Sequence, residues 1–153
     1  MKKLFLFLAA SALVLSSCSS DDDGGSETNR ITLTMNSQTK VFDVIEVVEE
    51  VHFGGSSEEY TELTVTGVIS SNPTEFVTFY IDKGDTGIDA ISYLSYVNGS
   101  YDYYSDGTQT TFTSNVTTNN NSKKLVGTMS GDIQGPAGGT IATIASGSFN
   151  IQY

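Results

Sequence analysis

The single histidine of this chain, His52, lies in Val51-His52-Phe53-Gly54-Gly55 and is the first place to look for acid–base chemistry. Serines abound, so one reading of the inventory is a small hydrolase using His52 with a serine, or with Glu49, Glu50, Glu58 or Glu59. No G-x-S-x-G elbow surrounds any serine, and one histidine forbids H-E-x-x-H and multi-histidine metal sites. Glu49-Glu50 and Glu58-Glu59 bracket the histidine loop. Neighbours along a strand point to opposite faces, so neither pair converges as the acid and base of glycoside hydrolysis. These acids read as a solvated edge, and the chain is expected not to be an enzyme.

Two other constellations have the right residue types for binding. Asp82-Lys83-Gly84-Asp85-Thr86-Gly87-Ile88-Asp89 gathers Asp82, Asp85 and Asp89 in a glycine-bearing loop, and clustered carboxylates are calcium chemistry. The spacing does not fit the EF-hand pattern, and aspartate and glycine also populate turns for conformational reasons alone. The expectation is an ordinary turn and no cofactor, with calcium as the alternative. Five of the eight tyrosines (Tyr93, Tyr96, Tyr101, Tyr103 and Tyr104) surround the dipeptide Asn98-Gly99, a strong signal for a two-residue hairpin turn. In such a hairpin Tyr101 and Tyr103 share one face, with Tyr96 beside them. Tyr96, Tyr101 and Tyr103 are therefore the candidate ligand-binding strip, able to stack on sugar rings or anchor a protein. The plainer account is that tyrosine is a good strand former and pairs across strands.

The only cysteine, Cys18, closes Leu15-Ser16-Ser17-Cys18 behind a segment with Lys2 and Lys3 at its head and the apolar run 4–14. That layout is a secretory signal, and the run is too short to span a bilayer. Residues 1–17 are expected to leave with the signal. Residues 18–29, with Ser19-Ser20-Asp21-Asp22-Asp23-Gly24-Gly25, read as a flexible acidic tether. L-S-S-C resembles the lipobox of bacterial lipoproteins, and the serine–aspartate block resembles the surface-export signal of Bacteroidota lipoproteins. The resemblance implies a lipid on Cys18 and an outer-membrane, cell-surface location, the membrane being a partner through the anchor.

The whole chain carries 18 acidic and 7 basic residues, a formal net charge of −11. Without Lys2 and Lys3 the remainder carries −13, a field that opposes phosphate backbones and excludes nucleic acid as a partner. Beyond the tether, residues 30–153 have the usual size of one domain. No second cysteine exists for a disulfide or a thiolate metal site.

The elements that must position these residues are strands. Ile31, Leu33 and Met35 alternate with Thr32 and Thr34, and Phe149, Ile151 and Tyr153 alternate with Asn150 and Gln152. Residues 63–69 repeat the pattern, and 76–81 are apolar on both faces, as in a central strand. Residues 41–51 alternate poorly, but their β-branched content favours strand over helix. Further strands are predicted at 90–97, 101–104, 110–117, 124–133 and 140–144, with turns at Asn36-Ser37, Asn72-Pro73, Asn98-Gly99, Asp106-Gly107, 119–122 and 135–139. Eight to ten short strands predict an all-β domain, a single antiparallel β-sandwich or calycin-like barrel.

The ending Lys124-Leu125-Val126-Gly127-Thr128-Met129-Ser130-Gly131, then Ile144-Ala145-Ser146-Gly147-Ser148-Phe149-Asn150-Ile151, resembles that of small uncharacterised Bacteroidota lipoproteins, with Met129 where an aromatic is more usual. The resemblance implies the same β fold and transfers no catalytic residue. The expected function is a non-catalytic binding or envelope accessory domain for an extracellular glycan or protein. The alternatives are a barrel holding a small apolar ligand and the His52 hydrolase.

Overall fold

A computed structural model describes residues 29–99, 101–106, 111–136 and 141–153. The segment 1–17, Cys18, the tether up to residue 28, Gly107 and residues 137–139 lie outside them. The chain is all-β, a nearly closed antiparallel barrel with sandwich-like layering. β1 (Arg30–Met35) and β2 (Gln38–Phe42) form a hairpin. Asn36 and Ser37 both hold positive φ, 50° and 62°, as a two-residue type I′ turn demands. β3 (Val44–His52), β4 (Tyr60–Ile69) and β5 (Asn72–Asp82) follow as a meander. The short β6 (Gly87–Ile88) leads to the hairpin of β7 (Ile91–Asn98) and β8 (Tyr101–Ser105). β9 (Thr113–Asn120), β10 (Lys124–Gln134) and β11 (Ile141–Gln152) complete the chain. The order across the sheet is β2-β1-β11-β10-β8-β7-β5-β4-β3, with β9 also on β10 and β6 on β9.

The two ends of that order are consecutive in sequence, joined by Asp43 alone. Its N–H donates to Val68 O (3.1 Å), while the Ser70 N–H and hydroxyl donate to its two carboxylate oxygens at 2.8 and 2.7 Å. The Ser70 hydrogen bonds, backbone first, hold the Asp43 carboxyl below the usual carboxylate range. Gly67 lets the first hairpin close over β4: a Cβ there would lie 2.9 Å from Ile31 Cδ1 and 3.0 Å from Phe42 Cβ.

Apolar side chains line the interior. Phe42, Phe79, Phe149, Leu33, Leu63, Leu94, Leu125 and Ile133 are fully buried, and the Phe79 and Phe149 rings meet at 5.1 Å between centroids.

Two differences from the sequence reading have local causes. The segment 41–51 is two strands, because Asp43 turns the chain from one sheet edge to the other. The predicted strands 140–144 and 149–153 merge in one strand, β11 (Ile141–Gln152), whose alternation is broken by a bulge where Gly131 faces Ile144 and Met129 faces Gly147. Ala145 and Ser146 are consecutively exposed there, so the pattern slips by one. Turns shift too: Asn98 pairs with Tyr101, so Gly99 (φ 61°) opens the hairpin turn. Asn72 already belongs to β5, and Asn119 still belongs to β9.

The barrel has two distinct ends. At one, which we call the mouth, the β1–β2 turn meets Asn98, Tyr103 and Ala142. At the other, the base, Gln152 N–H donates to Asn29 Oδ1 (2.8 Å) and Tyr153 N–H to Lys123 O (3.0 Å). Glu49 bridges the layers there, taking Lys83 at 2.8 Å and Lys123 at 3.2 Å.

Candidate functional site

Register places Tyr96 directly opposite Tyr103, and Tyr101 two residues further on, so all three rings project to the inner face at the mouth. The centroids of Tyr96 and Tyr103 are 6.1 Å apart and near-parallel; those of Tyr103 and Tyr101 are 6.4 Å apart. Their exposure is graded. Tyr96 is 3% exposed, Tyr103 is half-buried, and Tyr101 is 59% exposed at the lip. This brings together the three tyrosines expected from the sequence but corrects one role: Tyr96 is floor, not exposed strip, because Phe42 packs edge-on against it at 6.5 Å. Tyr93 and Tyr104 belong to the outer face, where Tyr93 stacks on Tyr80 at 4.9 Å.

Beneath the rings is a polar plug that the sequence reading missed. Glu75 and Lys40 both point inward, Glu75 on the same side as Val77, Phe79 and Ile81, and form an ion pair. Tyr96 donates its hydroxyl to Glu75 Oε1 (2.6 Å), and Asn72 Nδ2 donates to Glu75 Oε2 (3.2 Å). Burial alone raises the Glu75 pKa, but the Lys40 and Tyr96 hydrogen bonds and the Lys40 charge outweigh it and hold the carboxyl below the usual range. Burial, then the Glu75 carboxylate, push the Tyr96 phenol well above its ordinary value. The signal for Glu75 was present: it extends the period-two run of buried residues by one step.

Between plug and lip is a concavity of about 100 Å3, lined by Asn36, Gln38, Lys40, Tyr96, Asn98 and Tyr103, with Met35 and Ala142 behind them. Drug-sized ligand pockets hold about 300–1,000 Å3, so this one receives only the end of a ligand. Larger troughs of about 480 and 300 Å3 run over the outer face of β1, β9, β10 and β11, lined mostly by small hydroxyl and glycine residues.

The other sequence candidates do not assemble. His52 stacks on Tyr60 at 4.8 Å; its Nε2 makes no hydrogen bond and lies 4.0 Å from Glu62 Oε1. Glu49 is engaged by its two lysines, and Glu59 Oε2 accepts the Gly55 N–H (2.6 Å). Glu58 and Glu50 are exposed.

The aspartate loop is braced by Asn119 and Ser114. Asn119, 5% exposed, donates Nδ2 to the carbonyls of Asp82 (2.8 Å) and Asp85 (3.1 Å), while Asp89 Oδ1 accepts the Ser114 N–H at 3.3 Å. These bonds engage two backbone carbonyls and one Asp89 oxygen, and among the described residues no three acidic, histidine or cysteine side chains gather as a metal site. Burial, then the Asp85 charge, raise the Asp82 pKa. An acid whose pKa is higher folded than unfolded costs stability above that value and regains it as the pH falls through it. Asp82→Asn is therefore expected to raise Tm at pH 7 by about 1–3 °C, the gain shrinking in acid, while millimolar calcium leaves wild-type Tm unchanged. Differential scanning calorimetry reads both.

In comparisons with protein-family models, curated proteins and solved structures, nothing matches this chain.

Proposed function

We propose that this chain is a non-catalytic binding domain that takes the end of a neutral glycan at the barrel mouth, and that a lipid on Cys18 holds it at the outer membrane, facing the cell exterior. The observation that carries the binding reading is the graded run Tyr96–Tyr103–Tyr101 over a concavity lined by the amides of Asn36, Gln38 and Asn98. Aromatic faces accept the C–H faces of sugars, and amides exchange hydrogen bonds with hydroxyls. Lys40 is already neutralised by Glu75, and the domain is strongly acidic, which favours uncharged sugars over uronates or sulfated chains. Close packing of Phe42, Phe79 and Phe149 in the core favours a site at the mouth over an apolar ligand held inside, and a His52 Nε2 without a hydrogen-bonded partner disfavours a general base.

Glycan-array screening followed by calorimetry tests the binding. Tyr101→Ala and Tyr103→Ala are each expected to weaken binding about tenfold, the worth of roughly 1.4 kcal/mol of stacking, with Tm changed little by the first. Failure of every glycan to bind, or binding indifferent to both substitutions, overturns the reading. The anchor is tested separately: Cys18→Ala is expected to abolish incorporation of labelled palmitate and release the protein from the membrane fraction, and protease shaving of intact cells reads sidedness.

A further inference from the structure

β3 is the last strand of the sheet. It pairs with β4 along its nine residues and with no strand on its other side among the described residues. A strand of that length with one row of N–H and C=O groups facing water is a template for another chain. The opposite edge is treated differently: β2 has five residues and turns the charge of Lys40 inward, which blunts it. β3 has no lysine and no proline.

Its outer face has a two-residue pattern. Val44, Glu46, Val48 and Glu50 stand opposite Val68, Thr66, Thr64 and Glu62. Val44 and Val48 are about half exposed, at 52% and 51%. Glu46 and Glu50 are exposed, and among the described residues neither has a hydrogen-bond or ion-pair partner. Two uncompensated carboxylates flanking an exposed valine do not close the edge to every strand; they select by charge. A second copy paired about Val48 sets Glu46 against Glu50, and the chain's own segment 19–27 carries Asp21, Asp22, Asp23 and Glu27. Like charges directly opposite destabilise a strand pair, whereas opposite charges and aliphatic pairs stabilise it.

From this edge we infer that β3 is a docking site for an extended segment of another protein, added as a further strand with aliphatic residues opposite Val44 and Val48 and Lys or Arg opposite Glu46 and Glu50. The surface is separate from the mouth and does not depend on glycan binding.

The probe is a fluorescein-labelled nine-residue peptide, Lys-Thr-Val-Thr-Lys-Thr-Val-Thr-Lys, which puts lysine and valine in turn on one face of a strand, titrated into the full chain by anisotropy. The same peptide with glutamate in place of lysine, and the same peptide N-methylated at every second residue, serve as comparisons. Saturable micromolar binding is expected for the first peptide only, weakened by at least about tenfold in E46K/E50K. Amide exchange along β3 should slow in the complex. Where the charge reversal fails to fold, E46Q/E50Q gives the same reading with a smaller loss. Absence of binding, binding that survives N-methylation, or a concentration-dependent dimer with β3 amides protected without peptide each overturns the proposal.

Discussion

Replacing Gly131 with alanine is expected to destabilise the domain by more than about 4 kcal/mol, enough to lower Tm by roughly 15 °C or prevent folding. Two effects add at this position. Gly131 holds φ at 113°, a conformation L side chains rarely adopt, and its Cβ would fall 1.9 Å from Thr111 O and 2.7 Å from Phe112 Cα. Those are backbone atoms of the segment crossing β10 before β9 begins, so no side-chain rotation relieves them. Gly84 supplies the control: its φ is 99°, yet nothing lies within 4 Å of an added Cβ. Gly84→Ala should cost only the conformational penalty, about 1–2 kcal/mol, and the difference between the two melting temperatures isolates the collision. Equal losses would show that the crossing of residues 111–112 over β10 yields easily.

Lys40→Met is expected to cost about 3 kcal/mol, near 10 °C in Tm, because it leaves the Glu75 carboxylate buried with only Tyr96 and Asn72 as donors. The double change K40M/E75L should recover most of that loss, since a buried ion pair is often matched by apolar residues of similar volume. Glu75 also sets an acid dependence. Its pKa is depressed in the fold, so its contribution is complete above the unfolded glutamate value of about 4.3 and is lost as the pH falls through the lower folded value. The wild type should therefore lose stability below that range more steeply than K40M/E75L. Thermal melts of the three proteins from pH 3 to pH 7 read both effects. A double variant as unstable as the single would mean that Tyr96 and Asn72, not charge compensation, hold the plug.

The β class and most strands were legible because alternation is a local signal: Ile31, Leu33 and Met35 announce their buried face without reference to anything distant. The tyrosine run was legible for the same reason, since hairpin pairing fixes which of Tyr96, Tyr101 and Tyr103 share a side. Where the sequence reading failed, the cause was contact between layers. Nothing around Asp43 in the sequence reveals that Ser70 and Val68 will hold it as a corner between β2 and β3. Nor can Lys40 be seen to face inward before the first hairpin folds over β4 and meets Glu75. Asn119 looked like turn chemistry because asparagine favours turns; its amide is used instead to brace the carbonyls of a loop 34 residues earlier. The bulge in β11 hid one long strand as two for a simpler reason, a single-residue slip in the alternation.

The pairing of Arg30 with Asn150 and the Gln152–Asn29 hydrogen bond have a mechanical consequence. The chain enters the barrel at the base, then climbs β1 to the mouth at Met35, so a pull on residues before Asn29 is borne at the end remote from the tyrosines. That pull loads β1 along its length against β2 and β11 together, a shearing geometry in which many ladder hydrogen bonds resist at once. A ligand bound at the mouth would therefore face away from a tether attached before Asn29, and tension between the two would run along the barrel's long axis, not across an open edge.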